Sequence, residues 1–146
     1  MPGIFGLLTP TDLLAKLGRE LDRLRAAPND IDHAFNFFVT AEHMLDWTYP
    51  DPTGKAKRKS LRENEPLLQL VSHLASGAKH FDNLSEHHQS VIDTGIKHRH
   101  PSLMRQRMFP SQLCIIAGGD AGAALGGSKI TALALTERVY GYWQKA

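Results

Sequence analysis

Histidine is the side chain with the widest chemical reach near neutral pH, and this chain holds eight in 146 residues, more than a small domain usually carries. Their spacing is informative. His43 and Asp46 stand three apart, with Trp47 four from the histidine, so on a helix all three share one face. His33, Asn36 and Thr40 extend the same polar stripe one and two turns earlier. Further along, His73 and His80 are seven apart with Gly77 between them, two turns along one side of a helix. If the two helices pack antiparallel the stripes meet, and we expect His43, Asp46, Trp47, His73 and His80 to line a common polar cleft.

Such a cleft has two chemistries open to it. His80 can serve as general base or acid, with Lys79 beside it to hold a phosphate or other anion and His43 and Asp46 as partners. The bland alternative is that Lys79 and His80 form a cationic helix end answering the negative pole of the helix dipole. Neutral imidazoles with a carboxylate also suit zinc or another divalent ion. No H-E-x-x-H pair occurs, however, and the ligands would come from separate helices; we therefore expect no metal and no other cofactor. His87, His88, His98 and His100 lie in polar, loop-like surroundings where only Glu86 and Asp93 offer carboxylates, and they read as solvated.

Other motifs exclude more than they suggest. The glycines from Gly118 to Gly127 form no phosphate loop, because the Gly-Gly-Ser-Lys order at 126–129 reverses the required ending. No G-x-S-x-G elbow is present. The single cysteine, Cys114, rules out an internal disulfide and sits in an apolar run, where a thiol acts as a small buried hydrophobe. The net charge of +2 does not announce a nucleic-acid binder, but the cations cluster. Lys55, Lys57, Arg58, Lys59 and Arg62 crowd one linker, and Lys97, His98, Arg99, His100, Arg105 and Arg107 another. With no interleaved aromatics to stack bases, solvated loops are the simpler reading; if these loops do bind, Lys57, Arg58, Lys59 and Arg99 would meet the phosphates, with Trp47 and His73 in the cleft.

The elements that must position these groups are mostly helical. Thr9 or Thr11 caps a first helix through Arg25, with Leu13, Leu14, Leu17, Leu21 and Leu24 at helical spacing. Asp30 caps a second to about Tyr49, whose apolar face is Ile31, Ala34, Phe35, Phe38, Val39 and Leu45. The segment DPTGKAKRKSLREN reads as a linker, and Asn64 with Pro66 starts a third helix that frays between Gly77 and Phe81. A short helix is expected over Ser85 to Asp93, then a β-hairpin from Leu113 to Ala117 and a glycine-dense turn, then a last helix carrying Leu133, Leu135, Val139, Tyr142 and Trp143. The expected architecture is one domain, mainly α: a helical bundle with a small C-terminal β-hairpin followed by a last helix. Its core should hold Phe35, Phe38, Leu45, Leu70, Leu74, Val139 and Trp143. No apolar run approaches a membrane span and the start has no basic n-region, so the chain reads as cytoplasmic with no membrane partner.

FVTAEHMLDW (Phe38 to Trp47) with LASGAKHF (Leu74 to Phe81), followed by ITALALTERVYGYW, resembles a group of small uncharacterised bacterial proteins with an H-x-x-D-W helix and an N-G-x-K-H helix end. Ser76 stands at the asparagine of that group. The bundle with its terminal Lys-His is similar, more distantly, to HEPN domains, some of which cleave RNA using an arginine shortly before the histidine; Ser72 to Ala78 contain none. The resemblance implies a helical fold and, first, a non-catalytic binding or assembly module from a bacterial host or mobile element, engaging a protein or, through the basic loops, a nucleic acid. The alternatives are a ribonuclease or hydrolase working at His43, Asp46, His73 and His80, and a homodimer joined through the hairpin edge.

Overall fold

A computed structural model describes residues 4–79, 90–97 and 111–146, the side chains of 78 and 79 excepted. Helix α1 (Pro10–Ala26) begins at a capping box: the Thr9 hydroxyl accepts from the Asp12 amide, and the Asp12 carboxylate accepts from the Thr9 amide at 2.8 Å. Pro10 at the first helical position needs no amide partner. Asp30 caps α2 (Ile31–Thr48) by accepting from the His33 amide at 2.9 Å. After α3 (Lys55–Asn64) and α4 (Pro66–Lys79) come strand β1 (Val91–Lys97), strand β2 (Gln112–Ala117), the short α5 (Gly119–Ala124), strand β3 (Lys129–Thr131) and helix α6 (Ala132–Lys145). The chain is mainly α, with one small antiparallel sheet in the order β1-β2-β3 and a final helix behind it.

Helix α2 is the central element, packed on α1, α4 and α6. Ala34, Phe37, Phe38, Ala41, Met44 and Leu45 recur at three- and four-residue spacing and are all buried, meeting Leu17, Leu21 and Leu24 of α1, Leu70 and Val71 of α4, and Leu135 and Val139 of α6 in one cluster. Two expected core residues are not in it. Phe35 is 47% exposed and Leu74 only half-buried against the cluster, because α2 turns the Phe37–Phe38 edge inward and leaves Ile31 and Phe35 on the flank. Phe38, Leu45, Leu70, Val139 and Trp143 are buried as expected.

Three further differences have physical causes. The expected linker contains α3: its residues are mostly good helix formers, but with Leu61 as its one partly buried apolar anchor it shows no hydrophobic period. The expected hairpin pairs as β2 with β3, yet its connection holds α5. Val91 to Asp93, expected in a short helix, start strand β1 instead; the β-branched Val91, Ile92, Thr94 and Ile96 favour a pleated conformation, and the rest of that expected helix lies outside the described residues. Asn29, between α1 and α2, fixes the sheet beside the start of α2: its amide donates to the Ser111 carbonyl and its Oδ1 accepts from the Leu113 amide, both at 2.8 Å.

Truncating the buried edge of α2 should therefore be costly and truncating its flank should not. Phe38→Ala should lower the unfolding free energy by about 3 kcal/mol, while Phe35→Ala should change it by less than about 1 kcal/mol. Paired urea titrations check this, and equal losses would place the two rings in equivalent environments.

Candidate functional site

Of the stripe carrying His43, Asp46 and Trp47, Asp46 meets the side chains of α3. His43 and Asp46 are exposed and Trp47 is half-buried against the core. Asp46 Oδ1 lies 3.1 Å from Arg58 Nε and 3.9 Å from Arg62 Nη2. Arg58 itself is buried. Its Nη1 donates to the Tyr49 carbonyl at the end of α2 and its Nη2 to Asp51 Oδ1 at 2.7 Å, so it serves as a cationic cap on the negative pole of a helix. Lys57 and Lys59 remain on the outer face of α3, Lys59 3.8 Å from Glu63.

One turn before Asp46, Glu42 Oε1 accepts from Arg62 Nε at 2.8 Å and lies 2.6 Å from its Nη2. Its Oε2 is buried with no hydrogen-bond partner among the described residues. Burial pushes the Glu42 carboxyl above its ordinary range; Arg62 pulls the other way without overcoming it, and nearby Asp46 adds to the rise. The corner is thus a folding device with one strained acid.

His73 lies elsewhere, buried on α4. Its Nδ1 is within hydrogen-bond reach of Ser90 Oγ, and the Ser90 amide donates to the same nitrogen at 3.2 Å. An amide can only donate, so Nδ1 is an acceptor and the neutral ring carries its proton on Nε2. The Ser90 carbonyl in turn accepts from the Gly118 amide at 2.8 Å. Ser90, which no motif signals, thereby ties α4 to the sheet.

Where α4 and the sheet diverge from the start of α2 they leave a cleft of about 450 Å³, within the range of sites that enclose a ligand or a partner's side chains. Ile31 and Phe35 of α2, Leu74 and Gly77 of α4, Ile92 of β1 and Cys114 of β2 line it, with His73, Asp93 and Thr94 as polar groups. His43, Asp46 and Trp47 do not. The pairing passes from Val91↔Ala117 to Asp93↔Ile116 and skips Ile92; this bulge re-aims the side chain, leaving Ile92 67% exposed. The result is an apolar cleft, where spacing predicted a polar one. Among the described residues, no group of three or more His, Cys, Asp or Glu is placed to hold a metal ion. His80, Arg99, Arg105, Arg107, His87, His88, His98 and His100 lie outside the described residues, as does the Lys79 side chain.

The strained acid carries a pH prediction. Since the folded state holds the Glu42 proton more tightly than the unfolded chain, this group's contribution to stability is present below its unfolded pKa and lost as pH rises through its folded one. Glu42→Gln keeps an acceptor for Arg62 without the charge. It should be at least as stable as the parent at pH 7, with the difference shrinking as pH falls through the carboxylate range. Urea midpoints measured against pH decide the sign, and a variant clearly weaker at pH 7 would show that the Arg62 pair outweighs desolvation.

Comparison with protein-family models, curated proteins and solved structures gave no match, so function is inferred from the chain's own geometry.

Proposed function

We propose that this protein is a non-catalytic binding and assembly module, HEPN-like in the sense of the sequence resemblance and cytoplasmic, that takes an apolar anchor from a protein partner into the cleft between α2, α4 and the sheet. The observation that carries the reading is the exposure of Ile31 at 63%, Phe35 at 47% and Ile92 at 67% around one concave surface. Large apolar side chains gathered at a cleft, rather than scattered singly, mark an interaction site. No described helix is long and apolar enough to cross a membrane. Nucleic acid is disfavoured for this surface by its apolar composition, and at α3 two of the clustered cations, Arg58 and Arg62, are engaged in ion pairs.

A hydrolytic reading has one observation in its favour, the serine hydroxyl on an imidazole nitrogen. Two features oppose it. The Ser90 amide points at the same nitrogen, which suits an anchor better than a proton acceptor, and Ser90 is not part of the cleft wall.

An environment-sensitive apolar dye, anilinonaphthalene sulfonate, should bind the folded parent with enhanced fluorescence. Phe35→Asp should abolish that signal while leaving the circular dichroism spectrum and melting temperature unchanged. Gly77→Leu should also abolish it, because a Cβ at this helical position meets nothing within 4 Å among the described residues and the larger side chain would occupy the cleft. Ser90→Ala should bind the dye as the parent does. Unaltered dye binding in Phe35→Asp and Gly77→Leu would remove the cleft as the site.

A further inference from the structure

Just before α1 the chain makes a tight reversal, Ile4-Phe5-Gly6-Leu7, closed by the Leu7 amide donating to the Ile4 carbonyl at 3.0 Å. Phe5 has φ 54° and Gly6 φ 79°, the left-handed pair of a type I′ turn. Glycine suits that position. Phenylalanine does not, and a bulky residue there is a backbone outlier of the kind that collects at clamps and binding elements. The ring is 98% exposed, with Ile4 at 56% and Leu8 at 62% beside it. The turn is nonetheless rooted: Leu7 packs against the core cluster, and the Leu8 amide donates to Asp12 Oδ2 at 3.0 Å. The fold thus presents an apolar knob on a fixed base.

The same chain carries an apolar cleft, and knob and cleft lie at opposite ends of the α1–α2 pair. Helices α1 and α2 are joined by a short connection and run antiparallel, touching where Lys16 Nζ donates to Thr40 Oγ1 at 2.8 Å. Measured from that contact, Pro10 lies six residues to one side and Phe35 five to the other, roughly 16 Å apart along the axis at about 1.5 Å per residue. The knob therefore stands away from its own cleft, as its exposure records. Resting on the reading of that cleft as an apolar docking site, we propose that its occupant is a second copy of this chain, which inserts Phe5 between Phe35, Leu74 and Ile92. The segment Ile4 to Leu8 bears no charged side chain, matching a cleft whose lining carries one carboxylate, Asp93, among the described residues. A volume of about 450 Å³ holds a phenyl ring with an aliphatic neighbour. Because knob and cleft are different surfaces, two copies can exchange knobs about a two-fold axis, and one-way insertion repeated from copy to copy gives a ring or an open filament.

Complementation of two variants of the full chain tests the knob-to-cleft contact directly. Phe5→Asn removes the knob and places in the turn a residue that tolerates left-handed backbone, so its melting temperature should equal or exceed the parent's; Phe35→Asp spoils the cleft at an exposed position. In sedimentation velocity the parent should grow in mass with concentration, and each variant alone should stay a monomer. An equimolar mixture should form a 1:1 dimer and nothing larger, since one partner supplies the only intact knob and the other the only intact cleft. Self-association of Phe5→Asn, or a mixture that stays monomeric, would overturn the proposal. A parent that remains monomeric at all concentrations would overturn it too: with dye binding at the cleft intact, the docking reading survives and the partner is another protein, whereas loss of the dye signal as well would remove both.

Discussion

The last carbonyls of a helix have no partners within it, and at the end of α2 the Arg58 guanidinium supplies one. It reaches the Tyr49 carbonyl while holding Asp46 on α2 and Asp51 in the connection. To do so from a buried position, α3 must fold as a helix and lie across that end, and the close approach is built into its start: a Cβ at Gly54 would collide with the backbone of Tyr49. With α3 so placed, α4 starts near the end of α2 and returns along it. The placement of His73, of the His73–Ser90 link and of the cleft wall all follows from that return.

Charge is handled in opposite ways at the two long sides of α2. Toward α1, Glu20 is 3% exposed; burial works against its charge, but hydrogen bonds from Lys16 and Arg23 win and hold its carboxyl below the ordinary value. Lys16 also donates to Thr40, so the α1–α2 contact is keyed by an ion pair in which Glu20 Oε1 takes two cations. Toward α3, Glu42 loses the same contest. Each carboxylate leaves one oxygen unpartnered among the described residues, but Glu20 draws on two cations and Glu42 on a single arginine, which does not recover the lost hydration. The α2–α3 corner is therefore the less settled of the two, although it directs the path of the chain.

Legibility in the sequence tracked the source of each element's stability. Helices α1, α2 and α6 rest on apolar residues at helical spacing, and Thr9, Asp30 and Pro66 mark their starts or that of α4, so the mainly helical class and most boundaries could be read directly. Helix α3 rests on Arg58 and Arg62 pointing inward, and a periodicity of cations is indistinguishable from a solvated run until the carboxylates that receive them are located. Phe35 and Phe37 differ by two positions, and a rotation of the helix by a fraction of a turn decides which is core. His43 and His73 each lie on a helix, as their spacing predicts, but whether two such stripes meet depends on helix rotation and tilt, which spacing does not encode. Ser90 carries no motif and acquires its role only through a partner seventeen residues away.

The cleft is where local preference and global packing disagree, and that disagreement is informative. Ile31, Phe35 and Ile92 stand in water although each could have been polar without disturbing the buried face of α2 or the ladder of β1. Ile92 owes its direction to a bulge, a device that weakens strand pairing. Phe5 holds a backbone conformation that asparagine or glycine would adopt with less strain. In a chain whose levels otherwise agree, departures from local preference are expected at functional sites, and here all four involve large apolar side chains turned outward at two places that cannot reach each other within one molecule. Two such places on one chain satisfy one another only through association.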